Sequence, residues 1–224
     1  MVAVRTAFDR QLRELDADLL RLAAWVETQL NDALTSLYGF DLDIAHKVDR
    51  FDAELNRLRY DIEERCYALL ALQQPVSSDM RRIVAAVSIA TNLERMGDHA
   101  AGIARLVLRM SPQTKMINIP TFKDMAKLAN ENLNKVMGAL HEHDAALSRT
   151  VVKADDDIDR MHKEVYDMLI KTMIDDPQTV EAATMLLWVS HNIERFGDRI
   201  LNINERIVYM ITGNLFEPRR DPMP

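Results

Sequence analysis

Cysteine, proline, glycine and aromatic residues are all scarce in this chain. Its 224 residues include one cysteine, seven prolines and six glycines, and 6% are aromatic. With Cys66 alone, no intrachain disulfide can form, and a reducing compartment fits best. The low aromatic content, against plentiful Leu, Ala, Met and Ile, favours helices over sheets. No apolar run approaches the roughly 18–20 residues of a membrane span. The opening MVAVRTAFDRQLREL carries charges where a signal peptide needs an apolar stretch. The expectation is a soluble, cytoplasmic protein that meets a membrane only through partners. Positive charge is in deficit too, with a formal net charge of −7. An acidic surface does not suit a phosphate backbone, so no direct nucleic-acid partner is expected. A phosphate-cradling glycine loop, a nucleophile elbow and a paired-cysteine motif are all missing. So is the Glu-x-x-His pair of ferritin-like di-iron centres.

Helical period fills most of what remains. Apolar residues make up 48% of the chain. Phe8, Leu12, Leu15, Leu19, Leu22, Val26, Leu30, Ala33 and Leu37 step by three and four, which predicts one amphipathic helix of about nine turns. Gly39 ends it, and Asp41 is placed to cap the next. Ile44, Val48, Phe51, Leu55, Leu58 and Ile62 carry a second helix to the region of Gln73. Pro75 suits the first turn of a third, which runs through Ile83, Leu93 and Ile103 towards Met110. Pro112 and Pro120 bracket a non-periodic linker. A fourth helix is expected from Thr121 to His141. A fifth, behind Asp144, carries Leu147, Val151, Ile158 and Leu169. A sixth is opened by Pro177 and stopped by Gly213. Every proline thus falls at a junction, in the linker or in the tail, as expected when an interior proline costs about 3 kcal/mol. The fold class is therefore all-α: two tandem, similar three-helix bundles. They span 1–111 and 121–213, joined by a linker at 112–120 and followed by a tail at 214–224.

The halves repeat each other. NLERMGDHAAGI begins at Asn92 and NIERFGDRILNI at Asn192. The preceding helices match at a slightly larger offset, pairing Asp41 with Asp144, Val48 with Val151, Asp52 with Asp155, Leu30 with Leu133 and Leu37 with Leu140. The repeating unit is a whole three-helix bundle.

Residues four apart on a helix share a face, with β-carbons about 5–6 Å apart. Glu94 with Asp98, and Glu194 with Asp198, are such pairs on the third helix of each unit. Asp52 with Asn56, and Asp155 with Asp159, offer a second row from the preceding helix. Asn202 and Glu205 extend the row in the second unit, where the first has Gly102 and Arg105, so the two faces should differ. Two carboxylates about 6 Å apart repel by roughly 3 kcal/mol at an effective dielectric near 20, and by under about 1 kcal/mol in water. A partly buried set therefore needs a cation or shifted pKa values. All-oxygen donors suit hard ions such as magnesium, manganese, calcium or ferric iron. A lone Glu-x-x-x-Asp pair is usually a solvated surface pair; its repetition in matched frameworks favours the metal reading. Arg50, Arg59 or Arg160 as salt-bridge partners is the competing explanation. Gly97 and Gly197, mid-helix between the acids, imply close helix approach or room for a ligand.

The two twelve-residue segments, with QQPVSSDMRRI before the first and NINERIVYMITG at the end, resemble the doubled signature of the PhoU family of phosphate-uptake regulators. The likeness spans roughly residues 5–215. It implies two similar three-helix bundles with multinuclear metal clusters on their surfaces, iron or zinc in some members. The positions that would hold them are Asp52, Asn56, Glu94, Asp98, Asp155, Asp159, Glu194 and Asp198, with Asn202 beside them. The neutral Asn56 sets the first face apart. The resemblance also implies a non-enzymatic adaptor, often a homodimer, that links a phosphate ABC transporter and its ATPase subunit to a sensor histidine kinase and represses the phosphate-starvation response. A metal-dependent hydrolase or phosphatase and a metal-free structural module are the rival readings.

Overall fold

A computed structural model describes residues 2–111, 117–146 and 151–214, with side chains described at 6–111, 117–146 and 155–214. Six α-helices account for nearly all of them: α1 (Val2–Gly39), α2 (Leu42–Gln73), α3 (Ser77–Arg109), α4 (Thr121–Glu142), α5 (Val151–Asp175) and α6 (Val180–Thr212). No strand occurs among the described residues. Pro112, Leu147, the Val151 side chain and the tail beyond Asn214 lie outside the described part.

Helices α1, α2 and α3 pack on one another, and so do α4, α5 and α6. The units meet chiefly along α3 and α6, while α1 also touches α4. The apolar stepping of α1 becomes an enclosed stripe: Leu12, Leu15, Leu19, Leu22, Val26, Leu30 and Ala33 are buried. Each of these leucine and valine side chains contributes about 1.5–3 kcal/mol on full burial. Leu30 and Leu133 are both buried, as are Leu37 and Leu140, so the repeat visible in the sequence is a repeat of core positions. No helix among the described residues is long and apolar enough to cross a membrane.

The junctions follow local chemistry, with three departures. Asp41 caps α2 as its spacing predicts, its Oδ1 accepting from the Ile44 N–H at 3.0 Å. The left-handed residue before it is Phe40 (φ 48°) rather than Gly39. Helical bonding persists through Gly39, and the Asp41 N–H closes back on the Ser36 carbonyl at 2.9 Å, a Schellman ending that places Phe40 at the reversal. Pro75 lies before α3 rather than in its first turn. Gln74 is left-handed (φ 46°, ψ 54°) to close α2, so it cannot serve as the extended cap of a helix opening at Pro75. Asp144 accepts from the Ala146 N–H at 2.8 Å and so caps a turn at 145–146; the described part of α5 opens at Val151. Pro177 opens a short 3₁₀ turn, Pro177–Thr179, that leads into α6. Gly213 (φ 76°) ends α6.

Candidate functional site

The acidic rows lie where α2 meets α3 and where α5 meets α6. Gly97 sets the first approach: a β-carbon there would overlap the Leu55 Cδ1 methyl of α2. Gly197 sets the second: a β-carbon would stand 3.2 Å from Ile158 Cδ1 and 3.4 Å from Asp155 Oδ1. Leu55 and Ile158 are repeat counterparts, so both glycines serve the same contact. In the second unit the Asp155 carboxylate lies over the α6 backbone between Glu194 and Asp198.

On the first face the carboxylates feel one another. Glu94 is only 7% exposed. Desolvation pushes its carboxyl above the ordinary range, Asp98 and more weakly Asp52 push the same way, and Arg95 and Arg59 oppose them. Desolvation likewise raises Asp52, followed by Asp98, with Arg105 opposing. Asp52, Glu94 and Asp98 thus form one repelling set drawn from two helices. Asp52 Oδ1 is buried and accepts no hydrogen bond. Asn56 turns its amide back to the Asp52 carbonyl at 3.1 Å.

Three arginines pair directly with the row carboxylates, and none of them is Arg50, Arg59 or Arg160, although Arg59 also acts on Glu94 without pairing with it. Arg95 reaches Asp98 Oδ2 at 3.0 Å and Glu94 Oε2 at 3.7 Å. Arg105 crosses from α3 to α2, with Nε 2.5 Å from Asp49 Oδ1 and Nη2 3.5 Å from Asp52 Oδ2. Arg195 pairs with Asp198 Oδ2 at 2.6 Å. Arg160 instead binds Asp157 and Glu164, and Arg59 holds Glu63 at 2.6 Å. The i, i+3 spacing of Arg95 to Asp98 and Arg195 to Asp198 was legible inside the repeated motif. The reach of Arg105 was not.

On the second face Asp155 and Asp198 are 5% and 7% exposed, and His191 Nδ1 lies 3.4 Å from Glu194 Oε2. Asp159 is half-buried one turn along α5 from Asp155. Asn202 is half-buried, and its counterpart Gly102 lies against Asn192 of the other unit. His162, the counterpart of Arg59, bonds through Nδ1 to Ser190 Oγ at 2.8 Å. Ser190 is fully buried, which removes it from reach as a nucleophile. Trp188 is 56% exposed beside His191.

Hard oxygen donors, mutual repulsion and a buried acceptor without a donor fit a cation on the first face. The side chains as placed do not yet cage one: among the described residues no three Asp, Glu, His or Cys groups converge closely enough to hold an ion. A cation on the first face would have to displace Arg95 and Arg105, and one on the second face Arg195.

Fold and site together define a tandem-repeat helical bundle that carries one acidic helix-pair face per repeat. The PhoU domain model matches twice, at residues 19–107 and 122–207, and the chain belongs to the PhoU family. It is 32% identical over 210 residues to a phosphate-specific transport system accessory protein PhoU homolog of Clostridium acetobutylicum, covering 93% of this chain and 96% of that one. The corresponding homolog of Streptococcus pneumoniae serotype 4 is 34% identical over 214 residues, covering 96% and 99%. The crystal structure of the phosphate transport system regulatory protein PhoU from Streptococcus pneumoniae superposes with a TM-score of 0.88 at 33% identity, over 94% of this chain and 100% of that one. That of PhoU from Pseudomonas aeruginosa gives 0.84 at 28%, over 92% and 100%. The relatives bear the names of accessory and regulatory proteins, not of enzymes.

Proposed function

We propose that this protein is a cytoplasmic, non-enzymatic negative regulator of phosphate uptake that works by protein contact. It joins the ATPase subunit of a phosphate ABC transporter to a sensor histidine kinase, as a homodimer. The carrying observation is the family match over both repeats. The acidic faces bind multivalent cations, multinuclear iron foremost, with zinc, manganese, magnesium and calcium as alternatives. Asp52, Glu94 and Asp98 hold the first ion set, with Asn56 at its edge. Asp155, Asp159, Glu194 and Asp198 hold the second, with Asn202 at its margin. The buried Asp52 Oδ1 that accepts no hydrogen bond supports this. A bound cation would neutralise the rows and fix α2 against α3 and α5 against α6. These residues' own work is to bind and orient it.

Deletion of the gene tests the regulatory reading. Phosphate-starvation genes become constitutive in the deletion strain, and normal repression by phosphate there would end the assignment. Elemental analysis of protein purified without chelator or affinity-tag metal tests the cation reading. Metal-free protein that gains no thermal stability on adding Fe²⁺, Mn²⁺ or Zn²⁺ would refute it.

A further inference from the structure

Helices α3 and α6 run antiparallel where the two repeats meet. Arg81, near the start of α3, lies against Gly213 at the end of α6. Further along, His99 Nδ1 lies 3.2 Å from Asn192 Oδ1, and Gly102 packs on the same asparagine. On α6, Trp188, Arg195, Arg199 and Arg206 step by seven, four and seven, which keeps them on one stripe. Asn192 falls on that stripe too, so it borders the seam. Burial, and after it the Arg199 and Arg195 charges, lower the pKa of His99, so both guanidinium groups act across the seam.

Half-buried arginines elsewhere in the chain have carboxylate partners. Arg59 holds Glu63, Arg65 holds Asp18 and Arg82 holds Asp16. On the stripe itself, Arg195 holds Asp198. Arg81, Arg199 and Arg206 are half-buried as well, yet none of them forms an ion pair or a side-chain hydrogen bond with a described residue. Arg81 has a substitute, because it sits at the carbonyl end of α6, which carries partial negative charge. Arg199 and Arg206 have none. A guanidinium taken partly out of water loses hydration that a partner ordinarily replaces. Carboxylates are in excess over cations in this chain, whose net charge is −7. Two unmatched guanidinium groups on one stripe therefore mark a surface suited to an anion from outside.

Spacing and surroundings decide which anion. Arg199 and Arg206 lie two turns apart, about 10 Å along α6. Each planar guanidinium can take a carboxylate through two parallel bonds. Nucleic acid and an anionic lipid surface present closely spaced phosphates over a broad front. Such a front would also press on Asp98 and Asp198, which stand on the same two helices. Separate carboxylates about 10 Å apart reach the arginines alone, and acidic residues seven apart on a helix recur at that distance. Trp188, 56% exposed on the same stripe, offers an apolar contact beside them. Tryptophan and arginine are the side chains that most often dominate protein interfaces.

We propose that the α6 stripe beside the α3–α6 seam is a docking surface for an acidic helix of a partner protein, with carboxylates seven residues apart on Arg199 and Arg206 and an apolar side chain on Trp188. This deepens the reading of an accessory protein that works by contact, and rests on that reading for the partner being a protein.

Panning the purified full chain against a phage-displayed library of random peptides tests it without any component of phosphate transport. The library needs about twenty residues, because Trp188 and Arg206 stand about 27 Å apart along α6. Enriched peptides should be acidic, with Asp or Glu seven apart and one large apolar residue. They should lose at least about tenfold in affinity for Arg199→Gln/Arg206→Gln, and should weaken for Trp188→Ala and with added salt. Thermal melts give a second reading. With no partner to lose, the glutamine double variant should melt near wild type, whereas Arg82→Gln, which removes the pair with Asp16, should melt lower. A double variant that melts well below wild type overturns the proposal, since its arginines then have partners within the folded chain. So does failure to enrich any sequence, or enrichment of peptides that bind the double variant unchanged. Retention of phosphatidylglycerol vesicles or duplex DNA through the same arginines overturns it too. The deletion phenotype is independent of all these outcomes, so loss of this surface and loss of the regulatory reading are told apart.

Discussion

The Leu55 Cδ1 methyl fills the space that a β-carbon on Gly97 would need. Leu55 is itself buried, so it cannot swing outward to make room. Overpacking of this kind costs about 1–3 kcal/mol, against roughly 1 kcal/mol regained in helix propensity. Gly97→Ala is therefore expected to lower the melting temperature by a few degrees. Gly197→Ala, whose β-carbon meets Ile158 Cδ1 at 3.2 Å, should be close to neutral. Calorimetric melts of the two variants check the asymmetry, and adding Leu55→Val to Gly97→Ala should recover part of the loss.

Glu94 gives a pH dependence of defined sign. Burial and its acidic neighbours raise its carboxyl above the ordinary 4.5. The folded state then keeps its proton at pH values where the unfolded chain has released it. Its contribution to stability falls as pH climbs through that window and stays low at neutrality. In chelator-treated protein, Glu94→Gln should melt higher than wild type at pH 7. The gap should close as pH falls below the carboxylate range, and thermal melts across pH 4–8 measure it.

Arg105 gives an ion-competition test. It holds Asp49 and Asp52 from the neighbouring helix, so a cation must displace it. Arg105→Ala should tighten cation binding at the first face. A tenfold gain adds about 1.4 kcal/mol of ligand-linked stability, or roughly 3–6 °C for a chain of this size. The shift in melting temperature between chelator and added Mn²⁺ should be larger in the variant than in wild type. An unchanged or smaller shift would mean that Arg105 does not compete with the ion.

The helices were legible because each buries one stripe, and a stripe on a helix repeats every three to four residues. Leu12, Leu15, Leu19 and Leu22 fall on the enclosed side of α1 as their spacing requires. Asp41 was legible because a cap bonds only three residues ahead. Pro75 misled because a proline also fits outside a helix, and the left-handed Gln74 decided the matter. The repeat and its carboxylate rows could be read for the same reason as the stripes. What was hidden depends on contacts between distant segments. Arg105 meets Asp49 across 56 positions, and Asn130 meets Asn31 across 99. No local periodicity encodes either meeting.

Tyr38 ties α1 to the approach to α4, its hydroxyl donating to the Ile119 carbonyl at 2.5 Å. Ile119 is buried, so removing the donor leaves that carbonyl poorly matched. Tyr38→Phe should cost about 1 kcal/mol at neutral pH. Burial, then Asp124, pushes the phenol from its ordinary 10.0 up to about 12. Between those values the unfolded chain loses the phenolic proton while the folded one retains it, so this residue's contribution to stability declines as pH rises through the interval. Phenylalanine has no proton to lose. The stability difference between wild type and Tyr38→Phe should therefore shrink from pH 9 towards pH 12. Paired urea titrations at each pH read this difference directly, with the other alkaline groups common to both proteins. A constant difference would mean that the hydroxyl titrates freely and that its bond to Ile119 does not hold in solution.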